Sequence, residues 1–545
     1  MDANGERSLK ILYQFQDIVR EYGRGKPVEL EADVVIVGSG AGGAPLAYEL
    51  AGEGYSVIVL EEGGYHTTSD FRFQWAWAAS HIYRDGGVNI TLGTPVMLAP
   101  VGRTVGGTTT INQGNAMRVP PSLIERWHSD FGLYDIDYEE LALYYCAVEE
   151  FLFVQKVDPE VAGNNARKFI EGARKIGLNA DYLTRNAKDC EGYGHCIAGC
   201  PSGAKQSMVV SYIPEAVKRD ADVYADCSIE EILVENGRAA GFAGYFIDHG
   251  TSEVGPQVKV HGKVAVLAAG ALGTPLLLFR NRLCNSSGQV GKNYFVHPAM
   301  ITVPVWDELI EPAKGISESA MVKDFEDYGF LLETAAMPPD VLSMPVVGLS
   351  SSRGSDIMRN FAKSGCFVSM IRDSRGGRLI PLDRKANNFI VLYQLSKEDF
   401  QKTKTSTVMQ VEIALAAGAK RVHTPIIGHE VIESSKDLER LRNVKLRKTQ
   451  IVFMTGWHPQ GTCRMGTSPD ISVVKPTLES WDVPDLFIVD ASVFPSAVGA
   501  HPQITIMAFS MRSAGFIDER LAEKGVRPPK ASKKKLPEVC AEEKN

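Results

Sequence analysis

Two groups of residues have types and spacing that could do chemistry. The run Gly38-Ser39-Gly40-Ala41-Gly42-Gly43 carries glycines in the order G-x-G-x-x-G. In that order the first glycine makes a tight turn, the second lets a pyrophosphate approach the backbone, and the third allows a helix to pack close to a sheet. Glu61 closes the next apolar run and is placed to accept both hydroxyls of an adenosine ribose. Gly38, Gly40, Gly43 and Glu61 are therefore candidates to hold a dinucleotide, and the turn alone does not say which. The second group is Cys190, Cys196 and Cys200, spaced C-x5-C-x3-C and followed by Pro201. Three thiolates with glycines between them can ligate a small iron–sulfur cluster. Zinc would need a fourth ligand, for which His195 is nearest. Reduced structural thiols, or redox-active ones, are the remaining readings. An odd trio does not make a disulfide framework.

The dinucleotide residues need a strand, a turn and a helix to place them, and the sequence offers these in order. A strand is expected over Ala32–Val37, a helix from about Gly43 to Glu53, and a second strand over Tyr55–Leu60. The helix start would offer free N–H groups and a positive dipole end to phosphates. This is a β-α-β unit, the start of a doubly wound parallel sheet. Lys263–Ala269 and Asp485–Val489 are further buried-strand candidates that could join the same sheet. The fold class expected is α/β: a Rossmann-like, discontinuous nucleotide domain (31–115, 200–300 and 450–525) with an inserted α+β substrate domain (116–199 and 301–449). Alternating segments such as Phe389–Leu395 mark the insertion. Leu9, Ile11, Leu12, Phe15, Ile18, Val19 and Tyr22 mark an amphipathic helix within 1–30, packed on the body of the protein. Residues 527–545, rich in Pro, Lys and Glu, read as a disordered tail.

At 545 residues, 44% hydrophobic and 23% charged, the chain is long enough for two or more domains of an ordinary globular enzyme. A net charge of −8, spread along the chain, argues against a nucleic-acid binder. No apolar run approaches the roughly 20 residues of a membrane span. The stretch Met1–Arg7 lacks the start of a secretory signal, so a cytoplasmic location is expected. Of the nine cysteines, the six outside the cluster read mostly as buried small hydrophobes.

Five ordered motifs resemble the glucose–methanol–choline (GMC) family of FAD oxidoreductases, over about residues 31–525. They are the glycine turn; Arg103-Thr104-Val105-Gly106-Gly107-Thr108-Thr109-Thr110-Ile111-Asn112; Gly270-Ala271-Leu272-Gly273-Thr274-Pro275; Trp457-His458-Pro459-Gln460-Gly461-Thr462-Cys463-Arg464-Met465-Gly466; and Asp490-Ala491-Ser492 followed by His501-Pro502-Gln503. The resemblance implies that Gly38, Gly40 and Gly43 hold the FAD diphosphate and Glu61 the ribose. It implies that Arg103, Gly106, Gly107, Thr108 and Asn112 wrap the flavin and ribityl chain. Asp490 and Ala491 would meet the diphosphate or ribityl, and Gln503 the pyrimidine edge. His458 and His501 match the family's catalytic pair. Members that bind flavin covalently use a histidine where this chain has Ile111, so dissociable FAD is expected. His297, in Val290-Gly291-Lys292-Asn293-Tyr294-Phe295-Val296-His297-Pro298, resembles a segment near the family's site and is given no role.

The implied reaction oxidises an alcohol to an aldehyde or ketone. A base takes the hydroxyl proton and the carbinol C–H delivers hydride to the flavin. Imidazole suits the first act because its ordinary pKa, about 6.5, lies near working pH. His458 is expected as base with His501 as partner, the roles being open to sharing or reversal. The cysteine segment resembles that of bacterial FAD dehydrogenase catalytic subunits, which hold a three-iron cluster, and a related segment of long-chain alcohol oxidases. A cluster there would pass electrons singly to an external carrier protein or subunit. The rival readings are an oxygen-using oxidase of the same fold and an FAD-retaining lyase or isomerase. Segments such as Phe330-Leu331-Leu332 and Met344-Pro345-Val346-Val347 lean toward an apolar or aromatic alcohol.

Overall fold

The apolar run Val34–Val37 is the fully covered end of strand β1 (Val28–Val37), whose first half alternates between buried and open positions. It lies at the centre of a seven-stranded sheet in the computed structural model, which describes residues 12–340, 342 and 351–527. β1 is followed by helix α2 (Gly43–Glu53), preceded in the chain by α1 (Phe15–Tyr22), and then by β2 (Val57–Leu60). β2 pairs parallel to β1, with Val34 opposite Val57 and Val37 opposite Leu60. The second strand thus begins two residues later than the sequence suggests.

Distant segments complete this sheet. β3 (Asp222–Tyr224) pairs parallel to β2, and the meander β4 (Cys227–Glu235), β5 (Arg238–Asp248) and β6 (Glu253–Leu267) forms the other side. Val258–Leu267 of β6 pairs parallel to β1, and β11 (Leu486–Ile488) pairs parallel to the end of β6. Both buried-strand candidates therefore join the sheet, the first beside β1 and the second on the far side of β6. Their buried ends gather where the turn after β1 begins, as expected for a ligand site at the carboxyl ends of parallel strands.

The second sheet has thirteen strands among the described residues and is mostly antiparallel. At its centre β7 (Pro298–Val305) pairs with β9 (Phe367–Ile371), which pairs with β8 (Phe330–Thr334). All three strands are buried along their length. The long helix α4 (Lys397–Ala416), capped by the Ser396 hydroxyl, covers part of this sheet. β10 (Met454–Gly456) pairs with β7 and leads into the His458 motif. Short strands Ile90–Leu92 and Met97–Leu98 also join this sheet, although they come from the segment assigned by sequence to the nucleotide unit.

Two further helices bear on the site. α3 (Gly270–Asn281) follows β6, and α5 (Gln503–Glu523) follows the His501 motif. The Ser510 hydroxyl of α5 donates to Gly42 O at 2.5 Å, which seats α5 against the start of α2. α1 packs on the first sheet through buried Phe15 and Ile18, and Tyr13 stacks on Tyr224 at 4.7 Å. Residues 9–11 of the expected helix, the Met344–Val347 segment, Cys540 and all but the first residue of the expected tail lie outside the described residues.

Candidate active site

The turn after β1 works by exclusion of side chains. Gly38 has φ +104°, and a Cβ there would lie 2.3 Å from Ala268 O on the neighbouring strand end. A Cβ on Gly43 would lie 1.9 Å from Gly38 O, so only glycine lets α2 start so close to the turn. The second glycine loop meets the first directly: a Cβ on Gly107 would stand 3.0 Å from the Gly40 Cα. Ser39 fastens the two loops. Its hydroxyl donates to Glu61 Oε2 at 2.7 Å and accepts from Gly106 N–H at 2.9 Å. Glu61 is further held by the N–H groups of Ser39 (3.0 Å) and Gly63 (2.9 Å). Burial pushes the Glu61 carboxyl above its ordinary range, against these donors.

A cavity of about 580 Å³ is lined by this turn and Glu61, by Arg103, Gly107, Thr108 and Asn112, and by His458 and His501. Gly38, Gly40, Asp490, Ala491 and Gln503 also line it, whereas Gly43 and Gly106 sit behind the wall as backbone supports. Asp490 is occupied: its carboxylate accepts from Gly270 N–H (2.9 Å), the Thr274 hydroxyl (2.6 Å) and Ser492 N–H (2.8 Å). It thus binds the start of α3. Gln503 accepts from Asn112 Nδ2 at 2.8 Å and donates to Asn186 Oδ1 at 3.0 Å. Ile111 is buried and lines the cavity. A cradle in which side chains would collide with backbone, opening onto this cavity with the Glu61 carboxylate beside the turn, fits the adenosine diphosphate half of FAD.

In the wall of the same cavity the two histidines of the motifs meet. The rings of His458 and His501 stand edge to face with centroids 4.9 Å apart. They differ in charge preference. Burial, together with His501 and His297, holds His458 well below the ordinary imidazole range. Burial also works against charge on His501, but the Glu333 carboxylate, with Glu318 behind it, raises its pKa to about 9. His501 Nε2 lies 2.9 and 3.1 Å from the two Glu333 oxygens. Glu318 is raised by burial and by Glu333, and accepts from Asn115 Nδ2. Among the described residues, Glu318, Glu333 and His501 are the only set of three or more His, Cys, Asp and Glu ligand atoms within 4.8 Å of one another.

The cysteine loop borders the same cavity. Ile197, next to Cys196, lines it, and the Tyr83 hydroxyl donates to Ile197 O at 2.7 Å. Cys190, Cys196 and Cys200 are free and half-buried. Their sulfurs do not converge within 4.8 Å with each other or with His195, as the ligands of a single zinc ion would. Two buried cations face them. Arg185 donates to Cys196 Sγ at 3.2 Å, and Lys205 Nζ donates to the carbonyls of Cys196 (2.9 Å), Thr110 (2.8 Å) and Asn112 (2.7 Å). Neither cation forms an ion pair with a carboxylate among the described residues. Burial would raise the Cys196 thiol, but Arg185 and Lys205 together hold it below its ordinary value. Cys227, Cys284, Cys366 and Cys463 are free and buried.

Sequence reasoning passed over Glu333, Glu318, Asn115, Arg185 and Lys205, and gave His297 no role. One signal was present: Glu333 stands in Phe330-Leu331-Leu332-Glu333-Thr334, a run otherwise fit for a buried strand. Phe330, Leu331 and Leu332 are core residues rather than cavity wall, so they carry no information on the substrate.

Known proteins match this arrangement. A GMC oxidoreductase model fits residues 79–299, its C-terminal counterpart fits 385–510, and an FAD binding domain model fits 33–89. An uncharacterized GMC-type oxidoreductase of Mycobacterium tuberculosis (strain ATCC 25618 / H37Rv) is 31% identical over 90% of this chain and 76% of its own length. A long-chain-alcohol oxidase of Arabidopsis thaliana is 29% identical over 89% of this chain and 68% of its own. Among solved structures, pyridoxine 4-oxidase from Mesorbium loti superposes with a TM-score of 0.66 at 17% identity, covering 89% of this chain and 98% of that one. With the glycine cradle, the cavity and the matched segments in hand, the chain belongs to the GMC oxidoreductases and is an FAD-dependent oxidoreductase.

Proposed function

We propose that this protein oxidises an alcohol to an aldehyde or ketone and passes the electrons to an external acceptor. The observation that carries the reading is that His458 and His501, one held neutral and the other favouring charge, line the same cavity as the dinucleotide turn. Two titratable groups whose environments push them apart divide acid and base work between them. FAD, when bound, supplies the hydride acceptor. The chain's own part is to hold the alcohol oxygen against the histidine pair, take its proton and keep bulk water out. Gly38 and Gly40 would seat the diphosphate and Glu61 the ribose, with Arg103, Gly107, Thr108, Asn112 and Gln503 around the flavin end and Gly43 and Gly106 supporting the two loops from behind. Ile111 leaves no histidine for a covalent link in that loop, so acid precipitation should release the flavin. Ala299, Ile301, Ala335, Met337, Val368 and Trp457 also line the cavity, and this apolar share supports an apolar alcohol over a sugar. The alcohol oxidase relative supports the same class.

The finer reading of the cysteine loop is that Cys190, Cys196 and Cys200 hold a small iron–sulfur cluster. Two buried cations without carboxylate partners support it, because buried positive charge calls for a negative group beside it. Such a cluster would supply one-electron transfer to a carrier protein. The test of the whole reading is an anaerobic screen of alcohols against the purified holoenzyme, read as bleaching of the flavin band. Apolar alcohols should bleach it, and His458→Ala should keep its FAD while slowing bleaching by about 100-fold or more. Unbleached flavin with every alcohol class, or near-normal bleaching in His458→Ala, would sink the reading.

A further inference from the structure

A sheet with one face in water should show polar residues there and apolar residues to the core. Three neighbouring strands of the second sheet depart from this: Gly377–Pro381, Phe389–Leu392 and Ile90–Leu92. Leu379, Val391 and Thr91 are buried on the inner face. The register fixes what lies on the outer one. Arg378 stands opposite Leu392, Ile380 opposite Ile390, and Leu392 opposite Leu92. Directly paired residues share a face, as do residues two apart along a strand. The outer face therefore carries Ile380, Ile390, Leu392, Ile90 and Leu92, with Arg378 beside Leu392. Ile90 is 47% exposed, Leu92 41% and Leu392 40%, so nothing in the fold covers them. Val88, Val96 and Leu382, in the loops that continue these strands, are exposed as well. Six of the seventeen exposed large apolar residues among those described thus come from 88–96 and 382–392. Single exposed apolar residues need no explanation, whereas a contiguous face marks an interaction site.

The charges around this face have one sign. Gly86–Gly102 contains no charged residue. Arg378 lies on the face, and Arg375, Arg384 and Lys385 flank its strands in the chain. All four are exposed, and none forms an ion pair among the described residues. The acids of the same stretch are committed elsewhere. Asp373 is buried and accepts from Val296 N–H at 2.8 Å and His297 N–H at 3.2 Å. Asp383 holds its own turn together by accepting from the N–H groups of Lys385 (2.8 Å), Asn387 (3.2 Å) and Asn388 (2.8 Å). A protein of net charge −8 thus gathers unpaired cations beside an aliphatic surface.

We propose that this face docks on the surface of a bilayer that carries anionic lipid. The aliphatic side chains enter the boundary between headgroups and acyl chains, and the four cations meet lipid phosphates. A fluid aliphatic layer accepts a flat face without a shaped counterpart. Two-fold pairing with a second copy would set the same cations against each other. The segments that carry the face also line the cavity, through Pro100, Val101, Ala386 and Phe389. An apolar alcohol collects in bilayers, so docking brings the cavity to where such a substrate is concentrated. That benefit rests on the apolar-alcohol reading, whereas the docking itself does not.

Flotation of the FAD-loaded protein with vesicles tests this without turnover, so a failure of the alcohol reading leaves the result intact. The protein should float with vesicles of phosphatidylcholine and phosphatidylglycerol, far less with phosphatidylcholine alone, and should release as salt rises. Ile90→Ser combined with Leu92→Ser, and Arg384→Gln combined with Lys385→Gln, should each keep the flavin bound. Each pair should weaken vesicle binding about tenfold or more. Hydrogen exchange should slow in 88–96 and 382–392 when the anionic vesicles are added. Absence of flotation with those vesicles, equal flotation of all variants, or unchanged exchange in both segments while bound overturns the proposal. Flotation lost in the basic pair but kept in the apolar pair overturns the seating of the aliphatic face. Slowed exchange in these segments with polyglutamate but not with vesicles would assign the face to an acidic protein instead. A solution dimer that Leu92→Ser dissociates, with no vesicle binding, would assign it to a second copy.

Discussion

Ser39 shows how much one short side chain can organise. Its hydroxyl is shared between Glu61 and Gly106 N–H, so it joins the first glycine loop to the second and to the end of β2. Ser39→Ala would leave the Gly106 N–H without a partner and take one donor from a buried carboxylate. A buried group left unsatisfied costs about 1–3 kcal/mol. We expect a lower denaturation midpoint of that size and weaker FAD binding by fluorescence titration; an unchanged midpoint and affinity would refute the bridging role. At this scale the sequence was legible where a residue type is forced by local geometry, as with Gly38 and Gly43. It was not legible for Glu333 or Lys205, whose partners lie 168 and 95 residues away in the chain. Nothing local in a sequence records a charge that is balanced across the fold.

The β1-turn-α2-β2 unit carries its own signals: an apolar run, spaced glycines, a helical stretch and a second apolar run. Its boundaries were therefore readable to within a few residues. The second sheet was not. Its central strands are covered on both faces, so they lack the alternation that marks a half-buried strand. Many of its other strands are only two to five residues long and exist because partners far off in sequence complete their ladders. The unit's fit also yields a prediction. Gly43→Ala would drive a methyl group into Gly38 O and force α2 away from β1. The expected outcome is purified protein with little bound flavin and a fold intact by circular dichroism. Full flavin occupancy would show that the helix start has room to spare.

Over the whole molecule, the cavity connects two chemically different regions: the histidine pair and the cysteine loop. Lys205 touches both the loop at Thr110–Asn112 and the carbonyl of Cys196, and Ile197 forms part of the cavity wall. Lys205 and Ile197 thus join the cavity wall to the loop that carries Cys196. Protein purified under anaerobic conditions should contain iron by elemental analysis and show broad visible absorption beneath the flavin bands. A bright yellow, iron-free protein would leave the cysteines as structural thiols and point to direct reoxidation of the flavin.

The parallel pairing of β11 beside β6 has a further consequence, in time rather than space. The glycine turn leaves the ribosome more than 400 residues ahead of the strand Leu486–Ile488 and the helix that holds Gln503. Until those arrive, the nascent chain has the first lip of the cradle but neither the Val489 backbone that flanks Gly42 nor the Asp490 clasp on α3. Cofactor capture is therefore a late event in the protein's biogenesis, and the half-made chain must keep its long apolar strands from pairing with other chains until that point.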